Sequence, residues 1–257
     1  MPLPKVIGVL DSALPENPLW RPARRCPPRL AERYGLDPAA TPANQAWALL
    51  YEREPELYDR LVEGENLHPR IFAELPIEAV TVLDVGAGSG RLTLPCAARA
   101  AEVLALEPAA GLRRELAAKL QRCGIANVRI IAGSDQAIPL PAGSVDVTVS
   151  CAAFGADPEL GGEQGLAELR RVTRPGGQIF ILWPDDPQWF LNRGFSYHAF
   201  AGAMETRFRD LQTAKLCAEI FYGEAALEWI RQSGRPILPY SVLGVNAPRD
   251  LCRCTVA

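Results

Sequence analysis

The chain contains 257 residues, of which 48% are hydrophobic and 22% are charged, and its formal net charge at pH 7 is −3. This length and composition indicate one large globular domain or a core with appendages. The slightly acidic charge argues against a nucleic-acid partner, which requires a basic face, and no apolar run is long enough to span a membrane.

The N-terminal 45 residues contain nine prolines, which exclude a long helix in this stretch. We interpret the arginines among them as part of a solvated arm rather than as an anion site. Residues 43–61 show the spacing of an amphipathic helix with a break at Pro55, and residues 68–74 predict a second helical segment. We therefore assign residues 1–75 to an N-terminal arm and helical cap. The arginines concerned are Arg21, Arg24, Arg25, Arg29 and Arg33.

Residues 81–90, TVLDVGAGSG, predict a buried strand that runs directly into a glycine-rich turn. Gly86, Gly88 and Gly90 occupy alternate positions, and residues without a Cβ are needed where backbone turns sharply and lies against a ligand. A helical pattern follows, so the turn also directs free backbone N–H groups toward that ligand. The stretch predicts a site for a nucleotide-like cofactor.

Four more strands follow this turn, and helical patterns lie between most of them. Strands that alternate with helices at this spacing predict a doubly wound, mostly parallel α/β sheet. We expect the helix after the second strand to end at Gly124. Ligands of such sheets bind beside the carboxyl ends of the strands, where the glycine turn, Glu107, Ser134 and Cys151 all fall. The predicted strands span residues 102–106, 128–131, 145–151 and 178–183.

Two classes of cofactor compete for the glycine turn. A dinucleotide fold would show G-x-G-x-x-G with an acid about 20 residues further on, whereas this turn reads G-x-G-x-G and is preceded by Asp84. An acid after the second strand, here Glu107, suits both classes because either cofactor offers ribose hydroxyls to a carboxylate.

Four motifs in order resemble the class I S-adenosylmethionine-dependent methyltransferases, specifically the group of small-molecule enzymes that includes the ubiquinone/menaquinone C-methyltransferases. The resemblance covers residues 58–183. It implies a Rossmann-like sheet of seven strands with a helical cap, S-adenosyl-L-methionine as the cofactor and a small molecule as the methyl acceptor. The motifs are VLDVGAGSG at 82–90, LALEP at 104–108, GSDQAIPLPAGSVDVTVS at 133–150 and ELRRVTRPGG at 168–177.

The resemblance also implies roles for individual residues. The glycine turn would pack against the methionine part of the cofactor, with Asp84 ordering the loop and reaching the amino group. Glu107 would accept both ribose hydroxyls, and Asp135 would accept from the adenine amino group. The alternatives are an exposed strand-end acid for Glu107 and an Asx turn or helix cap for Asp135. The expected cofactor-binding residues are Tyr58, Asp84, Gly86, Ala87, Gly88, Gly90, Glu107, Pro108, Ser134, Asp135, Gln136 and Cys151.

The residues that would perform chemistry depart from the family. Many relatives carry a histidine pair after the fourth strand, but residues 151–157 read CAAFGAD. A general base is needed only if the acceptor must lose a proton. Candidates are His198, Asp157 and His68, and for both histidines we favour a packed or surface role over catalysis.

The C-terminal third, residues 184–257, completes a methyltransferase domain that we assign to residues 76–257, with its core at 76–183. By analogy with the family, residues 195–201 would form the sixth strand and residues 206–216 the antiparallel seventh. Residues 224–232 predict a short helix that ends at Gly234. The aromatic residues Trp189, Phe190 and Phe195 are expected to pack in the core rather than line an acceptor pocket.

Two rival functions remain open: a non-catalytic relative that binds the same cofactor, and an NAD(P)-dependent oxidoreductase. The seven cysteines show no repeated spacing, which favours reduced thiols and a cytoplasmic location. Cys252 and Cys254 form a C-x-C pair that matches no zinc pattern, so we expect no metal site. The sequence leaves the oligomeric state open.

Overall fold

A computed structural model describes residues 27–257 of the chain. Arg21, Arg24 and Arg25 of the predicted arm therefore lie outside the described residues. The strands are β1 (Thr81–Val85), β2 (Glu102–Glu107), β3 (Val128–Ala132), β4 (Val145–Cys151), β5 (Thr173–Leu182), β6 (Ser196–Ala199), β7 (Glu205–Arg207), β8 (Ile237–Pro239) and β9 (Asp250–Thr255).

Helices connect the first strand to the second, the second to the third and the fourth to the fifth, and the other α-helices precede the first strand or follow the fifth. Short 3-10 and π-helical segments span Pro158–Leu160 and Ala218–Tyr222. The α-helices are α1 (Pro28–Arg33), α2 (Ala43–Arg53), α3 (Pro55–Gly64), α4 (Pro69–Glu74), α5 (Thr93–Ala97), α6 (Ala110–Cys123), α7 (Gly162–Val172), α8 (Pro187–Leu191), α9 (Leu211–Cys217), α10 (Glu224–Ser233) and α11 (Tyr240–Leu243).

The main sheet has seven strands in the order β3-β2-β1-β4-β5-β9-β6. Strands β1 to β5 pair in parallel. Strand β9 runs antiparallel between β5 and β6, so β6 points in the same direction as β5. This confirms the predicted doubly wound, mostly parallel seven-stranded sheet.

The prediction for the seventh strand is wrong. Residues 205–207 form β7, which pairs with β8 in a separate two-stranded sheet, and α9 follows. The Asp210 carboxylate accepts a hydrogen bond from the backbone N–H of Thr213 at 2.7 Å, an N-cap that commits the chain to a helix. The seventh position in the main sheet is filled by β9, the chain's C-terminal strand.

Both faces of the sheet are buried, as the continuous apolar runs of its strands require. Leu83 and Val85 of β1 face one core, which α7 and α8 cover, while Val82 faces the other core with the buried residues of α4. Phe190 and Phe195 lie in the first core at 0% and 4% exposure, which confirms that they pack. Gly124 ends α6 in the left-handed conformation with φ of 64°, also as predicted.

A third apolar cluster forms the cap above the carboxyl ends of the strands. It joins Leu50 and Leu61, from α2 and α3, to Ile230 and Leu243 from the C-terminal part of the chain. The cap therefore has two components, helices α1–α3 and the segment between β6 and β9. Within the described part of the predicted arm, Arg33 forms an ion pair with Glu54 at 2.5 Å.

The cap is attached to the sheet beside the end of β2. The Glu52 carboxylate of α2 accepts hydrogen bonds from the backbone N–H groups of Ala110 (2.7 Å) and Gly111 (3.1 Å), which begin α6. A Cβ at Gly111 would lie 2.0 Å from the Tyr51 carbonyl oxygen, so only glycine allows this approach. The cap helix α2 is thereby fixed next to Glu107.

Candidate cofactor site

The glycine turn joins β1 to α5 in a conformation that other residues avoid. Gly86, Gly88 and Gly90 have φ of 70°, 57° and 101°. The backbone N–H groups of Gly86 and Ala87 donate to the Leu106 carbonyl at 2.9 and 3.0 Å, which holds the turn against the end of β2. A Cβ at Gly86 would lie 2.4 Å from the Cβ of Ala153.

Glu107, at the end of β2, is an acid that is hydrogen-bonded directly to this turn. Its carboxylate accepts hydrogen bonds from the backbone N–H groups of Gly88 and Ala109, both at 2.8 Å. Glu107 as a whole is only 4% exposed. Burial raises the pKa of Glu107, while the two N–H donors oppose that shift. The alternative of an exposed strand-end acid is therefore excluded. Each carboxylate oxygen keeps a second lone pair for another donor.

Asp84 lies one residue before the end of β1 and is 1% exposed. The Thr93 hydroxyl donates to its carboxylate at 2.6 Å. Burial raises the pKa of Asp84 to about 7, the negative charge of Glu107 adds to this, and the Thr93 hydrogen bond opposes it. A cation placed beside this carboxyl group would favour its charged form.

The end of β3 leads into Ser134, Asp135 and Gln136, which follow one another on the same edge of the sheet. Asp135 is half-buried, and burial raises its pKa. The Gln136 side-chain amide donates to the Pro158 carbonyl, and the Gln136 backbone carbonyl accepts from the Gln164 side chain at 3.0 Å. The loop that contains the 3-10 helix is thus fixed over Asp135.

That loop contributes residues to which the sequence had assigned no role. A Cβ at Gly161, whose φ is 99°, would lie 2.1 Å from the Phe154 ring and 2.9 Å from the Asp135 carboxylate. In the sequence, the Gly161-Gly162 pair at the start of α7 is the feature that could have indicated this close packing. Phe154 is 3% exposed and gave no signal beyond its apolar character.

The ends of β4 and β5 bring two further strained positions to the same edge. Ala152, directly after Cys151, has φ of 51°, and Trp183 has φ of 53°. Left-handed backbone at non-glycine residues is costly and clusters at functional sites. Cys151 is half-buried at this edge, as the sequence predicted for the end of β4.

Tyr58 of α3 lies over the glycine turn. A Cβ at Gly88 would come within 3.3 Å of the Tyr58 ring. The ring also makes an edge contact with Tyr51, with centroids 4.9 Å apart. The cap thus places an aromatic side chain directly on the turn. Pro108, in contrast, lies at the exposed surface beside Glu107.

The three candidate bases have structural partners. His68 is the N-cap of α4, where its Nδ1 accepts from the Arg70 N–H at 3.3 Å and its ring stacks on Phe200 at 5.2 Å. Burial lowers the pKa of His68 and of His198. The Asp157 carboxylate accepts from the Glu159 N–H at 2.9 Å and caps the 3-10 helix.

His198 lies in β6, at the edge of the sheet. Its Nε2 is 3.1 Å from the Ser196 hydroxyl. Strands β5 and β9 separate β6 from β4, which corresponds to roughly 14 Å at about 4.8 Å per strand. The structure thus does not bring His198 together with the glycine turn.

Two further properties concern only residues 27–257. Within this range, no group of three or more His, Cys, Asp or Glu side chains is arranged to hold a metal ion. Every helix in the same range is too short or too polar to cross a bilayer.

Comparisons with known proteins support the assignment that this geometry suggests. Residues 82–177 match the family model described as "Methyltransferase domain". An uncharacterized methyltransferase of Mycobacterium tuberculosis is 36% identical over 110 residues, which are 42% of each chain. Another from Geobacillus kaustophilus is 30% identical over 139 residues, covering 51% of this chain and 63% of that one.

A relative with a more specific name is the malonyl-acyl-carrier-protein O-methyltransferase of Methylococcus capsulatus. It is 37% identical over 100 residues, covering 38% of this chain and 35% of that protein. Among solved structures, a chain from the complex of a Haloferax volcanii methyltransferase with its activator has a TM-score of 0.50 and 18% identity. The match covers 83% of this chain and 95% of that one, and it shows the same fold.

The sheet order, the glycine turn and the acid at the end of β2 define a class I methyltransferase fold. Residues 82–177 of the chain are a methyltransferase domain, set within this fold. The matched region spans between about a third and two thirds of the length of these curated relatives.

Proposed function

We propose that this protein transfers a methyl group from S-adenosylmethionine to a small-molecule acceptor. The observation that carries the proposal is the buried Glu107 carboxylate, held at the end of β2 by the backbone N–H of Gly88. An acid in this position, with lone pairs left for two hydroxyl donors, fits a ribose that lies against the glycine turn.

The other residues of the site fit the same cofactor. The backbone of residues 86–90 would hold its methionine part, with the Asp84 carboxylate facing the amino group. The Ser89 hydroxyl is buried without a hydrogen-bond partner among residues 27–257, so this turn retains a polar atom for a ligand. Asp135 and Gln136 would contact adenine, and Tyr58 would cover the turn. Bound S-adenosylmethionine supplies a methyl group that its sulfonium already activates.

The chain's own contribution is positioning and exclusion of water. Glu52 fixes α2 on the start of α6, and the Asn44 amide contacts the Glu159 carboxylate in the loop over Asp135. These contacts close the cap over the adenosine side of the site. In-line orientation of an acceptor beside an activated methyl group can supply much of the rate without a general base. The structural roles of His68, His198 and Asp157 agree with such a reaction.

The acceptor is proposed to be a small molecule that reaches the site under the cap. The acidic net charge of −3 gives no support to a nucleic-acid acceptor. One similar protein is named an O-methyltransferase, which supports including oxygen nucleophiles among the acceptors tested. We also propose a cytoplasmic location, because the cysteines show no disulfide-type spacing.

A second candidate is a non-catalytic protein that binds the same cofactor. It is favoured by one observation: all three candidate bases cap or pack elsewhere. Incubation with methyl-labelled S-adenosylmethionine and small-molecule extracts separates the two. We expect label in a low-molecular-weight product, and its absence under every condition, with S-adenosylhomocysteine still bound, would favour the second candidate. A Glu107→Gln variant, expected to bind the cofactor more weakly, serves as the control and should transfer less label at a limiting cofactor concentration.

A further inference from the structure

A buried charged cluster lies on the other side of the glycine turn from Glu107. Arg91 directly follows Gly90, and its Nη2 forms an ion pair with the Glu65 carboxylate at 2.6 Å. The Tyr222 hydroxyl donates to the other oxygen of Glu65 at 2.7 Å. Only 14% of the Arg91 side chain and 8% of the Glu65 side chain are exposed. The cluster therefore joins the turn to both components of the cap.

The position of this cluster follows from the strand order. Strands β2 and β3, which carry Glu107 and lead to Asp135, lie on one side of β1, and β4 and β5 lie on the other. The Arg91 guanidinium carbon is 5.4 Å from the centre of the Trp183 ring, beyond the end of β5. Cys151, at the end of β4, and Tyr58 lie within electrostatic range of the same guanidinium. The cluster thus faces the side opposite the proposed adenosine site, where an acceptor would approach.

One donor in this cluster is unused. The Arg91 Nη1 is inaccessible to solvent and has no hydrogen-bond partner among residues 27–257. Burial opposes the charge of Arg91, but Glu65, Cys151 and Tyr58 together hold the pKa of Arg91 above its ordinary value. Arg91 is therefore a cation at every physiological pH. A buried charged donor without an acceptor is unfavourable, so a ligand oxygen at Nη1 would be stabilised.

We propose that Arg91 binds a carboxylate of the methyl acceptor, so that the acceptor is a small aromatic or apolar carboxylic acid. This inference rests on the proposed function. A single unpartnered nitrogen, Nη1, on a guanidinium whose charge Glu65 already balances suits a monoanion better than a dianionic phosphate. The rest of the acceptor would contact the Trp183 ring, over which the guanidinium lies, and the neighbouring Tyr58 and Tyr222, which interact with Arg91 and with Glu65 respectively.

The test measures binding of three acids, benzoate, cinnamate and octanoate, each beside its primary amide. Titrations are done calorimetrically on the full chain saturated with S-adenosylhomocysteine. We expect at least one acid to bind about ten- to a hundredfold more tightly than its amide, the effect of one charge-assisted hydrogen bond. Arg91→Gln, likewise saturated with S-adenosylhomocysteine, should remove this preference.

Two variants complete the design. Arg91→Gln combined with Glu65→Gln removes both charges together and avoids an unpaired buried carboxylate, so it serves if the single variant does not fold. Arg129→Gln, which breaks an exposed ion pair with Glu102, is the matched control and should keep the preference.

Equal binding of acid and amide, or no binding of either at about 10 mM, would overturn the role of Arg91. So would a preference that survives in the Arg91 variants. If S-adenosylhomocysteine itself does not bind wild-type protein, the proposed function fails instead. Binding of S-adenosylhomocysteine together with transfer of label confirms the function independently of Arg91.

Discussion

Replacement of Glu107 by glutamine is the sharpest test of the cofactor site. Both carboxylate oxygens of Glu107 accept a backbone N–H, from Gly88 and from Ala109, at 2.8 Å. In either orientation, the amide of Glu107→Gln must therefore turn its NH₂ group toward one backbone N–H. The variant loses the charge that would receive the ribose hydroxyls and also disturbs the turn.

The size of the expected loss of affinity for S-adenosylhomocysteine follows from these contacts. A hydrogen bond to a charged group contributes about 1.5–3 kcal/mol, and about 1.4 kcal/mol corresponds to a tenfold change in affinity. Loss of two such bonds, partly offset by the remaining amide oxygen, gives an expected ten- to hundredfold weaker binding of S-adenosylhomocysteine, by order of magnitude.

Isothermal titration calorimetry with S-adenosylhomocysteine measures this change directly. Glu102→Gln is the matched control, because Glu102 begins the same strand and its side chain forms an exposed ion pair with Arg129 at 3.6 Å. The control should bind like wild type. An unchanged affinity in Glu107→Gln, with a native circular dichroism spectrum, would refute the placement of the ribose at Glu107.

Three further predictions follow from the same region. Gly86→Ala should lower the free energy of unfolding, measured in urea, by about 2–4 kcal/mol, because the new Cβ combines a left-handed φ with a clash at Ala153. The control Gly124→Ala has the same backbone strain but open space around the Cβ, so it should lower the free energy of unfolding by about 1 kcal/mol. An equal loss in both would contradict the packing at Gly86. Tyr222→Phe should destabilise the protein by about 1–3 kcal/mol, because buried Glu65 loses a donor, and an unchanged urea midpoint would count against this hydrogen bond. Because folding raises the pKa of Asp84 from 3.8 to about 7, Asp84 favours the cofactor-free fold at low pH, and this contribution is lost as the pH rises from about 4 to about 7. Asp84→Asn should abolish that part of the pH dependence of stability. Cofactor binding near pH 6 should also release a proton in the wild type but not in the variant, which calorimetry in buffers of different ionisation enthalpy measures. Identical proton release in both proteins would show that Asp84 is not the group that loses the proton.

Local signals explain why the core of the site could be predicted. The glycines of residues 86–90 adopt positive φ, as their spacing predicted, and Gly124 and Gly234 end α6 and α10. Asp146, within the predicted fourth strand, accepts the Thr81 N–H at 2.9 Å and pairs with Arg174. Each of these features depends on a few neighbouring residues or on consecutive strand ends, so the sequence pattern carries it.

The features that escaped prediction depend on contacts between distant segments. The choice of β9 over residues 206–216 as the seventh strand is decided by pairing with β5 and by the Asp210 cap. The Arg91–Glu65–Tyr222 cluster joins residues that are up to 157 positions apart. The docking of α2 on α6 through Glu52 is equally non-local. No periodicity or motif marks such pairs in a single sequence.

The most direct test of the central claim is a parallel titration of wild-type protein with S-adenosylmethionine, S-adenosylhomocysteine and NAD(P). The G-x-G-x-G turn with Asp84 and Glu107 predicts saturable, stoichiometric binding of the first two and no detectable heat with the dinucleotides. Binding of NAD(P) with none of S-adenosylmethionine or S-adenosylhomocysteine would contradict the assignment of the cofactor and with it the proposed methyl transfer.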